Sequence, residues 1–213
     1  YDEMKKYYLM AIDLGDCISM NNLGFYYENI EKDYDEMKKY YLMAIKLGNS
    51  NSMNNLGKYY EIIETDYNKM KKYYLMSIEL SNSNAMNNLG FYYENIKKDY
   101  DEMKKYYLMA IKLGDTNAMN NLAGYYKNIK KDYDEMKKYY LMSIELGNSK
   151  LIHILIYFTK KINSFNIINK KNYCSIKLEY VEKCYQIKNC NHIFSSEILF
   201  NNIEFCPLCR IKI

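Results

Sequence analysis

The residues with the most chemistry to offer lie close to the C-terminus. Cys190-Asn-His192 is followed, after thirteen intervening residues, by Cys206-Pro-Leu-Cys209. Two thiolates on a Cys-x-x-Cys knuckle, with a thiolate and an imidazole from another loop, can surround Zn²⁺ tetrahedrally. A small module with little core would draw its folding free energy from the metal. One zinc ion, held by Cys190, His192, Cys206 and Cys209, is therefore the expected cofactor. The rival reading is a redox Cys-x-x-Cys, but no βαβ pattern precedes it and no resolving context is visible. Five of the six cysteines follow residue 170 in a large charged chain, unlike a small disulfide-stapled domain, which points to a reducing compartment. With only two histidines, and no Ser-His-Asp or paired-carboxylate constellation, no catalytic side chain is assigned.

The elements that must carry this module repeat every 33 residues. YDEMKKYYLMAI begins at Tyr1 and returns at Tyr34, Tyr100 and Tyr133, with the variant YNKMKKYYLMSI at Tyr67. Between the copies stand SMNNLGFYY at Ser19, SMNNLGKYY at Ser52, AMNNLGFYY at Ala85 and AMNNLAGYY at Ala118. Such a period marks a stacked array, and stacked repeats expose an extended surface suited to binding. The chain opens at Tyr1 inside a repeat, so further sequence, and any targeting segment, is expected before it.

Each repeat reads as two helices. Asp33 is placed to cap the first, with Glu36 three residues on as a capping box, a pattern repeated by Asp99 with Glu102 and Asp132 with Glu135. At Asp66 the partner is Lys69, which predicts a weaker cap. Met37, Tyr40 or Tyr41, and Ala44 define the apolar face, Asp35 and Lys39 a surface pair, and Gly48, Gly114 and Gly147 left-handed C-caps. The second helix, from about Ser52 to Ile63, is expected to bury Leu56, Tyr59 or Tyr60, and Ile63. Gly24, Gly57 and Gly90, with Ala123 in the fourth copy, imply a crossing too close for a side chain.

Twenty-seven tyrosines and many Asn, Lys and Ile residues suggest AT-rich codon usage as much as chemistry. Thirty basic and twenty-six acidic residues are interspersed, which disfavours a nucleic-acid surface, and no run of eighteen apolar residues exists to span a membrane. The Lys-Lys pairs, such as Lys38 and Lys39, read as a solvated face. The fifth second helix, LIHILIYFTKKI, exchanges its Asn pair for His153 and Ile154 and turns apolar all round, so a covering element is expected. His153 reads as a packed helix residue.

AMNNLGFYY, followed by an Asp-Tyr-opened helix with paired tyrosines and a small-residue turn, resembles the Sel1-like repeat, a relative of the tetratricopeptide repeat. Here ENIEKD or ENIKKD replaces that family's longer loop, and the composition is most similar to Sel1-like proteins of giant DNA viruses and AT-rich protists. The resemblance implies an all-α, right-handed α-solenoid of antiparallel helix pairs, about five over residues 1–162, ahead of a linker at 163–172 and a module at 173–213. It also implies a protein partner in the solenoid groove and a cytoplasmic location, in the host if the chain is viral. Asn21, Asn22, Asn54, Asn55, Asn87, Asn88, Asn120 and Asn121 are the candidate partner contacts, because paired mid-helix asparagines need a reason. Clamping a peptide backbone is one reason; family packing with codon bias is the other.

The module resembles the second half of a RING finger, matching at Cys190, His192, Phe194, Cys206, Pro207, Cys209 and Arg210. Laid on that pattern, the first metal site would fall at Cys174, Lys177, Ser195 and Ile198, so one site is complete and the other is not. A one-zinc RING or zinc-free U-box relative is implied, with Cys184 at no ligand position. Ubiquitin-ligase activity would follow, with Ile176 and Pro207 meeting a conjugating enzyme and Arg210 steadying ubiquitin. The alternative is a non-enzymatic adaptor with a structural zinc knuckle.

Overall fold

The computed structural model describes residues 1–148, Leu151, Ile154 and three short segments at 178–181, 184–187 and 192–195. Nine α-helices occupy the repeats among these residues: α1 (Asp2–Asp13), α2 (Cys17–Tyr26), α3 (Tyr34–Lys46), α4 (Ser50–Ile62), α5 (Tyr67–Glu79), α6 (Ser83–Tyr92), α7 (Tyr100–Lys112), α8 (Thr116–Tyr125) and α9 (Tyr133–Glu145). The chain divides into two compact units, Tyr1–Ala118 and Met119–Ile213. In the first, each helix packs on the one before and the one after, and α2, α4 and α6 also touch in sequence, as in an α-solenoid. In the second, α9 repeats the pattern of α3, and β1 (Leu178–Val181), β2 (Cys184–Ile187) and β3 (His192–Ser195) form an antiparallel meander. Val181 pairs with Cys184 and Ile187 with His192.

The period-33 core is as expected: Met37, Tyr41, Ala44, Leu56, Met70 and Tyr74 are buried completely. Ile63 is a correction. It is half exposed, because α4 ends at Ile62 and the backbone leaves the packed face before that residue.

The helix ends follow the sequence in part. Gly48, Gly114 and Gly147 take positive φ of 78°, 80° and 100°, and Ser81 adopts the same conformation at 59°. Asn49 N–H reaches back to the Ala44 carbonyl at 3.1 Å, satisfying a terminal acceptor of α3. Asp33 caps α3 by accepting from Asp35 N and Glu36 N, both at 3.1 Å. The capping box is only half made, however, since Asp33 N–H donates instead to the Tyr27 carbonyl at 3.1 Å. Glu36 thereby becomes free to bind Lys39 at 2.9 Å, which replaces the expected Asp35–Lys39 pair. Asp66 is no weaker than its fellows: it accepts from Asn68 N and Lys69 N at 3.1 and 3.0 Å, and the Lys69 ammonium lies 3.2 Å from its carboxylate. Asp33→Ala is expected to cost about 1 kcal/mol, read as a lower thermal midpoint.

The short connection between pairs is built in a way that periodicity does not reveal. Three of the second helices continue as single π-helical turns, π1 (Tyr27–Glu31), π2 (Tyr93–Lys97) and π3 (Tyr126–Lys130). Lys32, Lys98 and Lys131 then turn left-handed at φ of 56–58°. A π turn shifts the hydrogen-bond ladder and strands a carbonyl. Asn29 Nδ2 fills the Phe25 carbonyl at 3.0 Å, and Asn95 Nδ2 the Phe91 carbonyl at 3.1 Å. The second repeat has Ile62 there, which can donate nothing, and its α-helix runs on to that residue.

Candidate partner-binding surface

All eight predicted asparagines are half-buried. Because α2, α4 and α6 succeed one another, residues one period apart meet. Asn55 Nδ2 donates to Asn21 Oδ1 at 3.2 Å, Asn88 Nδ2 to Asn54 Oδ1 at 3.0 Å, and Ser52 Oγ to Asn21 Oδ1 at 2.9 Å. A row of amides thus ties neighbouring repeats together, so packing within the repeat employs much of their hydrogen-bonding capacity. The helix caps add a second row that sequence reading missed: Asn49 Nδ2 reaches the Cys17 carbonyl at 3.3 Å, and Asn82 Nδ2 reaches Asn51 Oδ1 at 3.0 Å.

The tyrosines form the other repeated structure, and here codon usage is an insufficient account. Tyr27 stacks on Tyr40, Tyr60 on Tyr73 and Tyr93 on Tyr106, with centroids 5.5–5.6 Å apart and planes within 7°. Tyr126 and Tyr139 repeat this in the second unit at 5.8 Å. Edge-on contacts from Tyr26, Tyr59 and Tyr92 extend each stack, and such pairs are worth about 0.5–1.5 kcal/mol beyond area burial. The second tyrosine of each pair does something else. Its ring lies against the repeat glycine, and its hydroxyl donates to a carboxylate: Tyr41 to Glu28 at 2.6 Å, Tyr74 to Glu61 at 2.7 Å and Tyr107 to Glu94 at 2.7 Å. Burial, then the adjoining carboxylate, pushes the Tyr41 and Tyr74 phenols far up, so both keep their protons. Burial raises Glu61 as well, against the lowering effect of the Tyr74 hydroxyl.

The lysine pairs are more than a solvated face. Lys38 is 2.6 Å from Glu64 and lies over the Tyr59 ring at 4.8 Å, while the Tyr59 hydroxyl donates to the same carboxylate at 2.9 Å. Lys5, Tyr26 and Glu31 form the equivalent cluster one repeat earlier, with Tyr26 donating to Glu31 at 2.9 Å. The Lys5 and Lys38 ammoniums hold Glu31 and Glu64 below the usual carboxylate range, with help from the two phenols.

Cys190, Cys206, Cys209, Ile176, Pro207 and Arg210 lie outside the described residues, as do Cys174, Lys177, Ile198 and His153. His192 opens β3, Ser195 closes it and Cys184 opens β2. Of the fifth second helix, Leu151 is helical and buried. Among the described residues no group of three or more His, Cys, Asp and Glu side chains could hold a metal, and no helix is long and apolar enough to cross a membrane.

Stacked helix pairs bound by side chains repeating at one period define a helical-repeat protein of the Sel1 architecture. Three solved structures share it. A Sel1 repeat protein from Oxalobacter formigenes is 25% identical with a TM-score of 0.57, the match covering 67% of this chain and 63% of that one. A protective antigen of uropathogenic Escherichia coli displaying an SLR fold is 20% identical with a TM-score of 0.60, over 74% of this chain and 37% of its own. An immunity protein from Pseudomonas aeruginosa is 21% identical with a TM-score of 0.55, over 70% and 60% respectively. The chain thus spans less than two thirds of the length of each. No family sequence model matches it, and no curated protein sequence does.

Proposed function

We propose that this protein is an interaction scaffold whose repeats recruit a protein partner. The observation that carries the proposal is the unbroken succession of α2, α4 and α6, which sets half-buried asparagine amides in one row. Each of these residues keeps part of its surface toward solvent, where the donors and acceptors of an extended peptide backbone could meet it. The test is selection from a random peptide library against the whole chain. Selected peptides should bind an Asn54→Ser, Asn87→Ser double variant at least about tenfold more weakly, a loss of about 1.4 kcal/mol, at a temperature where circular dichroism shows the variant folded despite the lost Asn88–Asn54 bond. Failure to enrich any peptide, or equal affinity for the variant, would defeat the scaffold reading.

A second reading concerns the C-terminal module, and the β2–β3 hairpin favours it. Ile187 pairs with His192, so the four-residue connection 188–191 contains Cys190. A Cys-x-His pair whose histidine opens β3 suits chelation, and its thiolate and imidazole donors suit zinc. In this reading Cys190, His192, Cys206 and Cys209 hold one zinc, and the module docks a ubiquitin-charged conjugating enzyme through Ile176 and Pro207 with Arg210 steadying ubiquitin. Metal analysis is expected to give one zinc per chain and none in Cys206→Ser. Autoubiquitination across a panel of conjugating enzymes should be lost in Arg210→Ala. A zinc-loaded wild type without activity would leave the knuckle purely structural.

A further inference from the structure

The clusters at Glu31 and Glu64 follow one plan: a lysine from the first helix, a phenol from the second, and between them a carboxylate from the end of the second. The third copy keeps the first two groups and reverses the last. Lys71 lies over the Tyr92 and Tyr93 rings at 5.3 and 5.1 Å, as Lys38 lies over Tyr59, but Lys97 stands where Glu64 would. Tyr92 is 1% exposed, and its hydroxyl has no hydrogen-bond partner among the described residues, whereas those of Tyr26 and Tyr59 each meet a carboxylate.

A cavity of about 350 Å³ opens at this point, walled by Asp66, Tyr67, Asn68, Lys71, Tyr92 and Lys97 with Thr65. Neither lysine pairs with a carboxylate among the described residues. The same reversal extends to the helix that borders the cavity. α5 has no acidic residue in its first turn, whereas α1, α3, α7 and α9 each have two. Counting the same positions in the two copies, Asp33, Asp35, Lys38 and Glu64 sum to −2, while Asp66, Asn68, Lys71 and Lys97 sum to +1. Asp66, the one negative group in the wall, is committed to the cap of α5 and to Lys69.

We propose that the cavity between Lys71, Tyr92 and Lys97 receives a carboxylate side chain from an acidic partner protein. The two earlier copies carry their own carboxylate on the same lysine and phenol, which fixes the chemistry of the missing group. The α5 N-terminus adds favourable potential for an anion. The inference rests on the scaffold reading in one respect, that the carboxylate comes from another protein.

The probe is fluorescein-labelled pentaglutamate, with pentaglutamine as control, followed by fluorescence anisotropy on the whole chain. Lys97→Glu restores the internal carboxylate, so it is expected to weaken pentaglutamate binding at least tenfold and at the same time to raise the melting temperature. Tyr92→Phe keeps the ring and the charge and is expected to weaken binding several-fold. Lys112→Glu makes the same charge change away from the cavity and should keep affinity within about twofold, because surface charges beyond a Debye length are screened. Absence of binding to wild type, an equal loss in Lys112→Glu, or no rise in melting temperature for Lys97→Glu would each overturn the site. So would displacement by inorganic phosphate at lower concentration than by free glutamate peptide, which would make the cavity a phosphate site. None of these failures touches peptides selected on the asparagine row, so the two readings fail separately.

Discussion

Tyr74→Ala is expected to lower the stability of the repeats by about 3–5 kcal/mol, the range for removing a large aromatic side chain from a packed core. Tyr74 is completely buried between α4 and α5, and its hydroxyl is the donor for Glu61. Tyr74→Phe separates the two contributions. It keeps the ring against Gly57 but leaves a half-buried carboxylate without its donor, a change worth about 1–3 kcal/mol. The pH dependence identifies which contribution is lost. Burial raises the folded pKa of Glu61, and the Tyr74 hydroxyl holds that rise in check. A carboxyl whose folded pKa lies above its unfolded value binds more protons when folded, so stability falls as pH rises through the interval between the two. Removing the hydroxyl raises the folded value further and widens that interval. Urea midpoints of Tyr74→Phe and wild type should therefore lie closer together at pH 4, where Glu61 is largely protonated in both states, than at pH 8. A difference independent of pH would show that Glu61 does not depend on the phenol.

Gly90→Leu is the second large effect. A Cβ at Gly90 would stand 2.6 Å from Tyr107 Cδ1 and 2.7 Å from Cε1, closer than real contacts allow. The ring, itself completely buried, cannot yield without losing its 2.7 Å bond to Glu94. The cost is expected to be about 2–3 kcal/mol or more, outweighing the gain of about 1 kcal/mol from replacing glycine in a helix. The opposite sign is expected at Gly124, where a Cβ would meet nothing within 4 Å and Gly124→Ala should stabilise by up to about 1 kcal/mol. Thermal melts of the two variants beside wild type provide the check. The fourth repeat carries its own version of this experiment. Ala123 occupies the glycine position, Lys127 the glutamate position, and Tyr140 is 6% exposed where Tyr41, Tyr74 and Tyr107 are fully buried.

The helix pairs, their caps and the tight glycine were legible because each is local or periodic. Asp33, Gly48 and Met37 signal through composition and spacing alone. What stayed hidden depends on partners carried by other helices, 13 residues away for Glu28 and 26 for Lys38. Nothing near Glu28 in sequence indicates that it accepts from Tyr41, and nothing near Glu64 indicates that Lys38 and Tyr59 converge on it. The π turns were invisible for another reason. They change the hydrogen-bond ladder without changing the hydrophobic pattern, and Asn29, which fills the stranded carbonyl, reads as an ordinary surface residue. Reading Lys38 and Lys39 as a solvated face fits the exposed Lys39 and misses only the Glu64 partner of Lys38, since a flexible charged chain reveals its resting place only once the neighbouring repeat is present. The cavity at Lys97 shows the value of aligning a chain on itself: its departure from Glu31 and Glu64 is plain in sequence and acquires meaning only from the geometry of those two.

Several bonds recur between chemically identical groups at successive levels, as Asn55–Asn21 and Asn88–Asn54 do, and Tyr41–Glu28, Tyr74–Glu61 and Tyr107–Glu94. An acceptor such as Asn54 or Glu61 therefore cannot distinguish the next repeat of its own chain from the same repeat of another molecule. Departures such as Ile62, Ser81 and the Ala123 with Lys127 pair tell one level from the next. These misfits act as address labels. They penalise a chain that skips a level or trades a helix pair with a neighbour, and so they help this molecule, at high concentration, to keep its own parts in order.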